Sequence, residues 1–404
     1  MLLVGSLTLG SYGVLALLAP VSTLTPVIRL PDVVETAAGT VTLPDSGGAA
    51  IGFAEGDRIL AARELDEPRV LASITKVVTA LVVLEERPIE NGSDGPAITL
   101  TAADAQRAQA YRAIGGSVAP APIGVALSQR QIIELTMVPS ANNYADTLAI
   151  WAFGSIDAYL DAARSWLDRN GLDRITVADA TGFSLDNQAT PRDLLTLARI
   201  AVADPVIAAA AAMPQVAVDG IGAFQNTNKA LGTAGVTGLK TGTLGPEVGA
   251  NLLFSGVLPG RPTGAEPVAV VGVVLGQPDQ DAVAAAVQRL MTTAADDVRE
   301  VTIIEEGQLL AQYETPWGDT VEVRSATALR DVVWGGIRTR PVVAAPEITG
   351  GDDTALADEV SAVVRWGGRT ERIPVTISGT IDPPPLDWRL LQPLREWGLL
   401  TADD

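Results

Sequence analysis

Residues 77–84 read Val-Val-Thr-Ala-Leu-Val-Val-Leu, and they follow Ser73-Ile74-Thr75-Lys76. From Ala72 to Glu86 the pattern is helical, and the helix body is apolar almost all round. A helix with no polar face belongs inside a domain and not on its surface. The chain must therefore wrap other elements around this one. Its 404 residues are enough for two domains.

The start of the same helix carries chemistry. Positions i and i+3 share a helix face, so Ser73 and Lys76 point into the same space. Ser73 stands at the helix N-terminus, where unpaired N–H groups favour developing negative charge. A serine hydroxyl is a weak nucleophile until a base takes its proton, and Lys76 is the candidate base. The chain has 28 lysines and arginines, but only Lys76, Lys229 and Lys240 are lysine. Arginine keeps its proton, whereas a buried lysine can lose it. Ser-x-x-Lys is a weak signal alone. Lysine scarcity and the apolar helix body strengthen it here.

Composition excludes several other chemistries. The chain has no histidine and no cysteine, which rules out a Ser-His-Asp triad, a cysteine nucleophile, disulfides and Cys/His zinc sites. No EF-hand-like ligand loop is seen, so neither metal nor cofactor is expected. The formal charge of −20 repels phosphate backbones, so no nucleic-acid partner is expected. With 47% hydrophobic residues and 39 glycines, the composition is that of a folded protein.

No charged residue occurs from Met1 to Ile28. The apolar run Met1–Ala19 matches the roughly 20 residues of one bilayer span. A cleaved signal peptide would want a basic start and an Ala-x-Ala site, and both are missing. Residues 1–28 are therefore expected to be a membrane or export segment, with a turn-rich linker over 29–47. The rest would lie on the extracytoplasmic face of the cell membrane, or in the cell wall if the segment is cleaved.

Two further elements come after the nucleophile helix. Ser140-Ala141-Asn142 lies in a loop between two helical patterns. Lys240-Thr241-Gly242-Thr243 reads as an inner strand feeding a hairpin, with Gly242 leaving room for a ligand's backbone. Ser-x-x-Lys, Ser-x-Asn and Lys-Thr-Gly in that order form the motif set of penicillin-interacting serine enzymes. The chain resembles the serine-type D-alanyl-D-alanine carboxypeptidases, the low-molecular-mass penicillin-binding proteins. Asp179-Ala180-Thr181-Gly182-Phe183-Ser184 with Asn187, Thr190, Arg192 and Asp193, and Asn226-Thr227-Asn228, extend the likeness from about Gly48 to Val298.

The resemblance implies a set of roles. Ser73 would attack the carbonyl between the last two D-alanines of a peptidoglycan stem peptide. Lys76 would take the serine proton, and Ser140 would relay it to the leaving amine. Asn142 would hold the substrate amide. Lys240, a second cation beside Lys76, would lower that amine's pKa. Thr241 and Thr243 would receive the terminal carboxylate, with Gly242 between them in the substrate-binding strand. The N–H groups of Ser73 and Thr243 would form the oxyanion hole. β-Lactam antibiotics would acylate Ser73 as inhibitors. A D,D-endopeptidase, a β-lactamase or a non-catalytic muropeptide-binding protein remain alternatives. No convincing Glu-x-x-Leu-Asn element precedes Lys240, which counts against a class A β-lactamase. Lys229 and Glu247 read as surface charges.

The fold expected is α/β. A β-lactamase/transpeptidase-like domain over 48–298 would have an antiparallel sheet covered by helices and a helical lobe at about 100–215. Short strand patterns divided by turns then predict a small β-rich domain over 299–404. Leu386–Leu400 is amphipathic but contains Pro393 and acidic residues, so core packing is preferred to a membrane anchor.

Overall fold

The computed structural model describes residues 12–14, 16–17, 23–29, 31–35, 39–90, 92–259, 267–334, 338–345, 348–349 and 361–396. It divides into two compact units, Gly39–Val298 and a second made of Met1–Ala38 with Arg299–Asp404.

The first unit is built on a five-stranded antiparallel sheet. Its strands are β1 (Ala49–Phe53), β2 (Ile59–Arg63), β3 (Val236–Thr243), β4 (Ala250–Leu258) and β5 (Val268–Gln277). Their order is β3-β4-β5-β1-β2. The Lys-Thr-Gly strand β3 is therefore an edge strand and not the inner strand read from the sequence. Its apolar, buried composition misled that reading: both of its faces are covered although one edge is unpaired among the described residues. An open edge presents unpaired N–H and C=O groups to whatever lies beside it.

Both faces of β5 are buried. Val271, Val273 and Leu275 belong to the main core, and Val270 and Val274, which alternate with them along the strand, are equally enclosed. The C-terminal helix of the unit, Gln280–Asp297, packs against β4 and β5. Asp279 caps it by accepting from Ala282 N–H.

The nucleophile helix α1 (Thr75–Glu86) comes directly after a 3₁₀ turn, Ala72–Ile74. Every residue of α1 from Thr75 to Leu84 is buried, as its composition requires. Around it lie α2 (Ala102–Ala113), α3 (Gln129–Met137), α4 (Asn142–Phe153), α5 (Ile156–Arg169), α6 (Pro191–Ala203) and α7 (Pro205–Ala212). Helix α4 packs directly on α1, and α2, α3 and α5 pack on α4. Polar side chains set where these helices begin. Thr101 with Asp104 and Ser128 with Gln131 form capping boxes, and Ser155 and Thr190 cap α5 and α6.

The second unit holds a six-stranded sheet, in the order Val27–Ile28, Leu309–Glu314, Thr320–Ser325, Arg369–Ser378, Ser361–Trp366 and Val342–Ala344. Its cores gather Ile304, Leu310, Val364 and Ile373 in one cluster, and Ala311, Tyr313, Val321 and Val323 in another. Three N-terminal strand pieces take part in this unit. Thr23–Leu24 pairs with Ile348–Thr349, Val27–Ile28 with the Leu309–Glu314 strand, and Val34–Glu35 with Arg338–Thr339. This differs from a span reaching residue 28 and then a turn-rich linker over 29–47. The β-branched residues of that stretch are used in pairing. Most of the proposed span, at 1–11, 15 and 18–22, lies outside the described residues. Helix Leu386–Glu396 runs through Pro393 instead of stopping there, with Trp388 edge-on to Trp317.

Candidate active site

The nucleophile turn is held from both sides by backbone that only glycine allows. A Cβ on Gly242 of β3 would lie 2.5 Å from the Leu71 carbonyl oxygen. A Cβ on Gly182, at φ +82°, would lie 1.8 Å from the Ala72 carbonyl oxygen. The backbone that Gly242 admits is thus the chain's own nucleophile turn, and not a ligand as the sequence reading supposed. Asn251 of β4 completes the clamp by donating from Nδ2 to the carbonyls of Val70 and Leu71, at 2.9 and 3.3 Å. Ala72 itself adopts φ +49°, a left-handed conformation that costs a non-glycine residue energy and persists because its neighbours enforce it.

Ser73 and Lys76 meet as their spacing requires. Lys76 Nζ donates to Ser73 Oγ at 2.8 Å and to the Thr181 carbonyl at 2.6 Å. The Lys76 side chain has no exposure to solvent. Burial pushes its amine down to about 7, against the pull of Asp179 and Asp146, whose charges favour the ammonium. Lys240 was expected to cause this lowering. The structure gives the cause as burial, and it is Lys240, also fully buried, that is pushed well down, by burial first and by Lys76 second.

Lys240 Nζ donates to the Thr241 carbonyl at 3.1 Å and to Thr241 Oγ1 at 3.3 Å. Thr241 Oγ1 lies 2.6 Å from Thr227 Oγ1. Thr243, exposed at the end of β3, accepts from Gln280 Nε2 at 2.8 Å, and the same amide donates to the Gly242 carbonyl at 3.0 Å. Ser140 has φ +63°. Its Oγ is buried and has no hydrogen-bond partner among the described residues. Asn142 is buried at the first turn of α4, its backbone N–H bound to the Ser117 carbonyl at 2.8 Å.

Asp179 organises the loop that supplies Thr181. It accepts from Thr181 N–H (2.7 Å), Thr181 Oγ1 (2.9 Å), Gly182 N–H (2.6 Å), Ser184 N–H (2.6 Å) and Asn187 Nδ2 (3.1 Å). Burial would raise its pKa, but the backbone and hydroxyl donors outweigh burial and hold it below the usual carboxylate value. The sequence reading placed this loop in the site region without a role. Its function is steric and electrostatic: it presents the carbonyl that aims the Lys76 amine. Lys229 and Glu247 are exposed, and Lys229 pairs with Asp281 at 2.8 Å.

The arrangement is a hydroxyl beside a deprotonatable, solvent-free amine, next to an open strand edge. A family model described as D-alanyl-D-alanine carboxypeptidase (peptidase S11) matches residues 45–278, more than half of the chain. The chain belongs to this family. A D-alanyl-D-alanine endopeptidase of Pseudomonas aeruginosa is 27% identical over 188 residues, covering 46% of this chain and 56% of its own. One from Escherichia coli is 26% identical over 164 residues, covering 40% and 49%. The chain thus spans about half the length of these curated peptidase relatives.

Solved penicillin-binding proteins share the fold. The Streptococcus pneumoniae peptidoglycan synthesis regulatory factor PBP3 superposes with a TM-score of 0.62 at 20% identity, covering 84% of this chain and 98% of its own. Penicillin-binding protein 5 of Haemophilus influenzae gives 0.60 at 17%, covering 83% and 98%. The Streptomyces K15 DD-transpeptidase gives 0.54 at 22%, covering 64% and 98%.

Proposed function

We propose that this protein is a serine D-Ala-D-Ala carboxypeptidase that removes the terminal D-alanine from peptidoglycan stem peptides through an acyl-enzyme on Ser73. The observation that carries this is the Lys76 amine, solvent-free and 2.8 Å from Ser73 Oγ. In that position it takes the hydroxyl proton as Ser73 Oγ attacks the penultimate D-alanine carbonyl. The Ser73 and Thr243 N–H groups stabilise the oxyanion. Ser140 Oγ, without a partner among the described residues, returns the proton to the leaving amine. Thr241, Thr243 and Lys240 receive the carboxylate, and Asn142 holds the acyl-side amide. The peptide backbone lies along the open edge of β3, a mode in which main-chain hydrogen bonds supply affinity. Water then hydrolyses the ester. β-Lactams, as mimics of the D-Ala-D-Ala end, acylate the same oxygen.

A D,D-endopeptidase is the second reading, favoured by the endopeptidase names of both curated relatives. It uses the same residues and differs only in the group on the leaving side of the scissile bond. In either case the enzyme acts outside the cytoplasm, held at the membrane or released to the wall by the apolar N-terminal segment.

The test is acylation by a fluorescent penicillin, read by intact mass, in wild type and Ser73→Ala. An adduct on wild type alone, with release of D-alanine from a pentapeptide, is expected. Folded wild type that forms no adduct would move the chain to a binding role. Activity on cross-linked dimers without D-alanine release from pentapeptide would select the endopeptidase.

A further inference from the structure

A second carboxylate is buried on the helix packed against the nucleophile helix, and the roles assigned above do not use it. Asp146 lies one helical turn after Asn142 on α4, the helix packed on α1. It is 8% exposed. Among the described residues one hydrogen bond is recorded to it, from the Tyr111 hydroxyl of α2 to Asp146 Oδ2 at 2.9 Å. The Tyr111 ring stands edge-on to Phe183 at 6.1 Å, in the loop that also carries Thr181. Thr181 is the residue whose carbonyl aims Lys76. The contacts therefore join Asp146 and Tyr111 to the loop whose Thr181 carbonyl holds Lys76.

We propose that Asp146 and Tyr111 are positioning residues for the Ser73–Lys76 pair. The Asp146 carboxylate, aimed by the Tyr111 hydroxyl, is the counter-charge for the ammonium that Lys76 becomes on taking the Ser73 proton. This rests on the reading of Lys76 as the base. The proton balance is simple. Ser73 Oγ loses a proton as it bonds to the carbonyl carbon, Lys76 Nζ gains it, and a positive charge appears in a water-free site. That charge needs a negative partner already in place.

Two carboxylates act on Lys76, Asp179 and Asp146. Asp179 is saturated with donors and stays ionised. Asp146 is adjustable. Burial pushes it up to about 6, with Asp179 adding to the rise, while the Tyr111 hydroxyl, Arg107 and Lys76 oppose it. The other titratable groups nearby are accounted for. Tyr159 of α5 bonds Thr79 at 2.8 Å. Asp104 of α2 receives Thr147 and Arg107. Glu134 of α3 is under the influence of Arg130 and Asp94. The Lys240 amine is pushed down, by burial first and by Lys76 second.

The experiment is the pH dependence of penicillin acylation by the full chain, for wild type, Asp146→Asn and Tyr111→Phe. Loss of the Asp146 charge lowers the Lys76 pKa. The acidic limb of the profile then moves to lower pH, by about 0.5–1 unit, up to the low end of what a nearby opposite charge does. The plateau falls several-fold because the amine is a weaker base. Tyr111→Phe removes the donor that keeps Asp146 ionised, and moves the limb the same way by less. A merely structural role would lower the rate at every pH and leave the midpoint in place, and that result overturns the proposal. If Asp146→Asn does not fold, Tyr111→Phe decides alone. Wild type that forms no adduct overturns the base assignment itself, and this inference with it. An adduct with unmoved limbs overturns only this one.

Discussion

Asp179→Asn tests how the site is held together, with almost no change in shape. The wild-type carboxylate gathers three backbone N–H groups within 2.7 Å, the Thr181 hydroxyl at 2.9 Å and the Asn187 amide at 3.1 Å. An asparagine has one acceptor oxygen and must turn its NH₂ toward donors on the other side. If the oxygen keeps the Oδ1 position, the Ser184 N–H and the Asn187 amide lose their acceptor and face another donor. Each unsatisfied buried group costs about 1–3 kcal/mol, and hydrogen bonds to a charged acceptor are at the stronger end. The loop is half-buried and water can compensate in part, so about 3 kcal/mol is expected overall. For a unit of this size that corresponds to about 6–12 °C in Tm.

The assay is thermal unfolding at several pH values. Asp179 has a folded pKa depressed below its ordinary 3.8. Its contribution is complete above the unfolded value and is lost as pH falls through the folded one. The gap between wild type and variant should therefore be constant from pH 7 to pH 5 and close only below about pH 4. Acylation should fall as well, because Thr181 is no longer fixed under Lys76. A variant melting within about 1 °C of wild type at pH 7 would refute the view that this carboxylate organises the loop.

The same geometry sets other expectations. Lys76→Gln removes the base without adding a buried charge, and acylation should drop about 10²–10⁴-fold in stopped-flow or gel assays while the melt persists. Ser140→Ala deletes a hydroxyl that has no hydrogen-bond partner among the described residues, so stability should stay within about 0.5 kcal/mol. Its acylation rate should nevertheless fall by about 100-fold, and an unchanged rate would remove Ser140 from the proton path. With Lys76 lowered to about 7, wild-type acylation should rise with pH through that region, since only the neutral amine accepts a proton. Gly242→Ala places a methyl 2.5 Å from the Leu71 carbonyl oxygen. It should cost about 1–3 kcal/mol and displace the nucleophile turn, which a melt and an acylation assay would show together.

The features legible in the chain alone are those carried by local spacing. The Ser73–Lys76 contact is an i, i+3 relation on one helix, so three residues of sequence contain it. The apolar run 77–84 carries its own burial. The helical lobe expected at about 100–215 holds helices from Ala102–Ala113 to Pro205–Ala212. The edge position of β3 was not legible. Strand order is set by which strands pair across hundreds of residues, and a strand covered on both faces reads as interior whether or not its edge is open. The role of Gly242 was missed for a related reason. The backbone it accommodates belongs to Leu71, far away in sequence.

The hidden part of the site is its negative charge, and the nucleophile helix explains why. A counter-charge for Lys76 placed locally would sit at i+3 or i+4 on α1, at Thr79 or Ala80. Thr79 is fully buried, bonded to the Ala180 carbonyl at 2.7 Å and close to the Tyr159 hydroxyl at 2.8 Å. Ala80 is enclosed in the apolar core. A carboxylate at either position would lie within a helix that has no wet face, at a desolvation cost of several kcal/mol. The charge is supplied instead by elements that can surround it with donors: Asp179 in a loop whose own N–H groups wrap it, and Asp146 on α4 facing the α2 tyrosine. The features that make α1 recognisable, its apolar body and its lone lysine, thus force the groups that control that lysine onto other segments, where sequence spacing carries no trace of them.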